Sequence, residues 1–162
     1  MGKLSVFATI ILLLSCRLPA ISVIQDHDAD TASINNQTLQ AYIVARRNPD
    51  LAIMDAHRAL SSSRAIQYEK GIADASLALG MAYFAKYNPG DSAIYYNIKA
   101  LDIYNETGDI VGKARAFYCL AYVYSLKGML DESEEYSRLS LDSFEEAGDK
   151  PVSYTHLTLP TN

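Results

Sequence analysis

The chain repeats itself at an interval of about 40 residues, and that interval limits what it can fold into. Three segments align, PDLAIMDAHRALSS, GDSAIYYNIKALDI and DESEEYSRLSLDSF. In them Ala52, Ala93 and Ser133 correspond, as do Ala59, Ala100 and Ser140, and then Leu60, Leu101 and Leu141. Two further segments, SLALGMAYF and FYCLAYVYS, pair Leu79 with Leu120 and Tyr83 with Tyr124, and Gly108-Asp109 returns as Gly148-Asp149. Each small residue precedes the next by seven positions, nearly two helical turns, so both lie on one helix face. Small residues there let a neighbouring helix approach closely, and the adjoining Leu fills the groove beside it.

Breakers fall in phase with the repeat. Asn88-Pro89-Gly90 stops one helix and Asp91 offers an N-cap for the next; Lys127-Gly128 stops another and Asp131 restarts it. Gly108-Asp109 ends one repeat and caps the following one, and Pro49 stands at a helix start, where proline is tolerated. The spacing predicts helix 72–87 paired with 91–106, helix 110–127 paired with 131–146, and a weaker early pair over 36–47 and 50–66. The fold class is all-α, an antiparallel helix-pair solenoid of about two and a half to three repeats.

Leu79-Gly80-Met81-Ala82-Tyr83, then Ala93, then Ala100-Leu101, is similar to the tetratricopeptide repeat, in its longer variety of roughly 40 residues. The likeness covers residues 36–150. Ser133 and Ser140 depart from the usual Ala, and Ala121 stands where Gly80 stands one repeat earlier, but all stay small. The resemblance implies a partner-binding groove lined by the first helix of each pair. With Leu79, Gly80, Tyr83, Leu120, Ala121 and Tyr124 packing, helical spacing assigns the groove Asp74, Leu77, Met81 and Phe84, then Arg115, Tyr118, Tyr122 and Ser125. Aromatic and apolar side chains edged by one acid and one base suit a peptide or a helix of a protein partner. The same stripe also suits core, since Met and aromatic residues at helical spacing commonly pack inward.

Residues 1–15 have the design of a secretory signal, with Lys3 ahead of a short apolar run that is too brief to span a bilayer. Leu13-Leu14-Ser15-Cys16 resembles a bacterial lipobox, which implies lipidation at Cys16 and a membrane anchor; a plain cleaved signal or an uncleaved anchor are the other readings. The expected location is the periplasm or outer membrane of a bacterium. Residues 16–35 read as a linker, where Asp26, His27, Asp28 and Asp30 alternate without a scaffold to preorganise a metal site. Cys119 reads as a small buried hydrophobe.

Net charge of -5 disfavours a nucleic-acid role. His27, His57 and His156 are scattered, Glu132, Glu134, Glu135 and Asp142 read as a solvated helix surface, and no phosphate loop or metal spacing appears, so no enzyme and no cofactor are expected. From residue 151 the rhythm fails: SYTHLTLPT favours strand, ends in a helix-breaking Pro160, and resembles translated adaptor sequence joined to assembled reading frames. The tail 151–162 is therefore expected to be foreign to the repeat, with the native frame continuing elsewhere. Two functions follow, an exported interaction scaffold of tetratricopeptide type, or the truncated periplasmic sensory domain of a membrane-bound histidine kinase or transcriptional regulator.

Overall fold

A computed structural model of the chain describes residues 28–87 and 90–148. Residues 1–15, expected from the sequence to be a secretory signal, and Cys16, His27, His156 and the 151–162 tail lie outside these residues. The chain divides into two compact units, Met1–Ser33 and Ile34–Asn162. Six helices account for nearly all of the described residues: α1 over 28–44, α2 Pro49–Ala65, α3 Glu69–Tyr87, α4 Asp91–Thr107, α5 Ile110–Leu126 and α6 Leu130–Glu146. There is no strand among the described residues, and no described helix is long and apolar enough to cross a membrane.

Helices α3 and α5 open at residues 69 and 110, a spacing of 41. Consecutive helices from α2 to α6 pack on one another, and the single non-consecutive contact among these five is α3 with α5. The fold is an all-α helix-pair solenoid.

Its interfaces are built on the small residues. Ala52, Ala93, Ser133, Ala59, Ala100 and Ser140 are all buried, none more than 2% exposed. The two serines do more than stay small. Ser133 Oγ donates to the Ala121 carbonyl at 3.0 Å and Ser140 Oγ donates to the Ala114 carbonyl at 2.9 Å, so α6 is bonded to α5 where earlier pairs have only alanine contacts. A buried hydroxyl satisfied in this way contributes about 1 kcal/mol. Leu79 and Leu120 are fully buried in successive pairs, each worth roughly 1.5–3 kcal/mol. Tyr83 stacks on Tyr96 with ring centroids 5.4 Å apart, and Tyr124 stacks on Tyr136 at the same distance, so one tyrosine pair ties the two helices of each later repeat.

The turns follow the expected chemistry with two corrections. Asn48 caps α2 through its side chain at Leu51 N, with Pro49 at the first helical position. Gly108 adopts the left-handed conformation at φ 72° that ends α4, and Asp109 Oδ1 accepts from Gly112 N at 2.8 Å to cap α5. Asp91 and Asp131, however, are not N-caps. Gly90 and Met129 hold those positions through backbone conformation alone, and both acids lie inside the first turn, where the helix dipole favours them. Residues 28–35, read from the sequence as linker, belong to α1.

Candidate partner groove on the first helices

The first helices of the three pairs converge on a polar cluster. Asp74 of α3 is its centre, with a side chain only 16% exposed. Its Oδ2 pairs with Lys70 Nζ at 2.9 Å, one helical turn earlier. Its Oδ1 accepts a 2.6 Å hydrogen bond from Tyr104 Oη of α4, and Arg115 of α5 stands 3.8 Å away. Lys70 also reaches Asp109 Oδ2 at 3.4 Å, which joins the cluster to the residue that caps α5. The Arg115 guanidinium lies over the Tyr42 ring of α1, 5.7 Å from its centroid.

These contacts set protonation. Burial works against a charged Lys70, but its hydrogen bond to Asp74 and the charges of Asp74 and Asp109 outweigh it and hold its pKa above the usual value. Burial, and then the neighbouring Asp74 carboxylate, drive the Tyr104 phenol strongly upward, so it remains a donor at any physiological pH. Burial also raises Tyr42.

Beside this cluster lies a pocket of about 380 Å³, lined by Asn35, Thr38, Leu39 and Tyr42 of α1, Lys70, Asp74 and Ala78 of α3, and Arg115 of α5. Lys70 and Arg115 keep roughly half of their side-chain surface open, 53% and 42%. Cationic donors are therefore open to an incoming ligand, beside the Tyr42 ring that lines the pocket.

The eight residues assigned to the groove from the sequence divide into three groups. Asp74 and Arg115 line the pocket. Met81, Phe84, Tyr118, Tyr122 and Ser125 form the stretch beyond it: Met81 Sδ lies 3.5 Å from Cys119 Sγ, Phe84 and Tyr122 meet with centroids 5.0 Å apart, and Tyr122 is 40% exposed. Tyr118 and Ser125 are half-buried, and the Ser125 hydroxyl donates to the Tyr122 carbonyl of its own helix. Leu77 is a correction. It is 1% exposed and clusters with Ala73, Ala100, Tyr104, Ala116 and Cys119, because α5 crosses close over α3 and covers it. Cys119 is buried in the same cluster, and burial pushes its thiol up to about 12, which leaves it unreactive.

Sequence reasoning missed Tyr42, Lys70, Tyr104 and Asp109 as site residues. The Lys70–Asp74 spacing of four on one helix was the available signal. Tyr42 had none, since its helix departs from the repeat pattern. Elsewhere, His57 is exposed on α2 with Nε2 3.3 Å from Tyr83 Oη, and the described residues contain no group of His, Cys, Asp and Glu placed to hold a metal.

The helices and the shared polar cluster define a helical-repeat protein with a ligand-sized cleft on its first helices. No protein-family model matches the chain, and no curated protein matches it.

Proposed function

We propose that the chain is an interaction scaffold of tetratricopeptide type that holds a segment of a protein partner along the first helices of its pairs. The observation that carries this reading is the pocket between α1, α3 and α5, where two half-open cations face an aromatic and apolar wall. Such a site orients a chain by its polar groups and anchors it by an aromatic contact. The likeness of Leu79–Tyr83 and Ala100-Leu101 to the tetratricopeptide pattern supports the same class. Selecting displayed random peptides on the full chain tests it. Selected peptides are expected to lose at least about tenfold in affinity on Arg115→Ala and on Tyr122→Ala, as removal of one buried contact residue does. Peptides indifferent to both substitutions would sink the groove.

The proposal includes export and a lipid anchor on Cys16, supported by the residues that resemble a lipobox. Cys16→Ser is then expected to move the protein from the membrane to the soluble fraction of fractionated bacteria. Unchanged membrane association counts against the anchor.

A further inference from the structure

Arg115 is held more loosely than the rest of the polar cluster. Asp74 is fixed by hydrogen bonds from Tyr104 Oη at 2.6 Å and from Lys70 Nζ at 2.9 Å. The Arg115 guanidinium approaches the same carboxylate only to 3.8 Å, beyond hydrogen-bond reach, and makes no hydrogen bond to any described residue. Its other contact is the Tyr42 ring, 5.7 Å from the centroid. Both contacts are weak at a side chain that is 42% exposed. One residue of α5 therefore spans to α3 and to α1. It covers the aromatic ring of the pocket while all its N–H donors stay uncommitted.

Turning Arg115 away breaks no hydrogen bond of Asp74, whose charge stays paired with Lys70. It also uncovers Tyr42 on a wall that already includes Leu39 and Ala78. We infer that Arg115 is the gate and the specificity-determining residue of this pocket. It covers Tyr42 until an anionic group of the ligand draws the guanidinium off, and the uncovered ring then takes an aromatic group beside that anion. The ligand class is an aromatic group carrying a carboxylate or phosphoryl anion, which supplies acceptors for the guanidinium and a face for the ring. This inference rests on the reading of the pocket as the partner's site, and it names what the partner must present there.

The probes are phenylacetate and phenyl phosphate, with phenylacetamide as the neutral counterpart. Each is titrated into the full chain and followed by the tyrosine-ring signals in NMR. At least one anion is expected to bind saturably, and more weakly as salt rises; which one binds identifies the source of the charge. Arg115→Ala should weaken that anion by about tenfold or more, as loss of a hydrogen bond to a charged group does. The same change should strengthen phenylacetamide about two- to fivefold, because the ring no longer has a cation to shed. Adding Tyr42→Leu should remove that gain. A residue that only supports the fold would weaken all three probes together. If circular dichroism shows that Arg115→Ala loses helix, Arg115→Gln keeps the length without the charge and reads the same crossover. Absence of saturable binding of either anion to the parent overturns the gate, and so does a neutral probe that fails to gain. Selected peptides that still depend on Arg115 would then leave the groove itself standing.

Discussion

Gly80 and Asn97 show how narrowly one repeat is fitted. Asn97 of α4 is fully buried, and neither its Oδ1 nor its Nδ2 has a hydrogen-bond partner among the described residues. A Cβ on Gly80 of α3 would stand 2.2 Å from that Oδ1. Gly80→Ala is therefore expected to destabilise the chain by about 1–3 kcal/mol through overpacking. With Asn97→Ala already present the same change should be close to neutral, since the obstructing amide is gone and Ala favours helix by about 1 kcal/mol. A double-mutant cycle in urea measures this, and additive effects would show that the two residues do not meet. The sequence made Gly80 legible as a packing position, because its neighbours recur at fixed spacing. It did not reveal Asn97, whose counterparts Ala56 and Ser137 share no property beyond being smaller. Likewise, Ser133 and Ser140 were legible as small but not as donors to α5, because a hydroxyl's partner depends on which carbonyl the neighbouring helix brings near.

At the scale of elements, glycine and capping residues made the helix ends readable to within a few residues, apart from α1. That helix already covers residues 28–35, which the sequence reads as linker because they carry no apolar period. The groove was less readable than the helices. Stripe logic treats each first helix as if it faced open space, and α5 comes close enough to α3 to cover Leu77. Asp109 shows what joins these elements, because one of its oxygens caps α5 and the other meets Lys70 of α3. Asp109→Ala is expected to lower stability by about 1 kcal/mol from the lost cap. The urea midpoint should fall with the slope unchanged. An unchanged midpoint would show that backbone conformation caps α5 unaided, as it does at Gly90.

For the whole molecule, the shifted groups act in one direction with pH. Tyr104, Tyr42, Tyr118, Tyr96 and Tyr136 all have pKa values above the usual 10.0, through burial first, so the fold favours their neutral forms. Lys70 lies above 10.5, so the fold favours its charged form. A raised folded pKa contributes stability that is complete below the unfolded value and is lost as pH rises beyond it. Urea unfolding is therefore expected to weaken steadily above about pH 10. Tyr104→Phe should reduce that decline while lowering stability at neutral pH by about 1.5–3 kcal/mol, the worth of a hydrogen bond to a charged acceptor. Stability that stays level well above pH 10 would contradict the burial of these phenols. The spacing of 41 residues has a genetic consequence. Duplicating residues 69–109 in tandem would lay a second copy of Gly71, Ala75 and Ala78 over Tyr104, where Gly112, Ala116 and Cys119 now lie. Unequal recombination at this interval would lengthen or shorten the protein by whole turns of its solenoid and rebuild its joints from residues already present, whereas an insertion out of phase would break them.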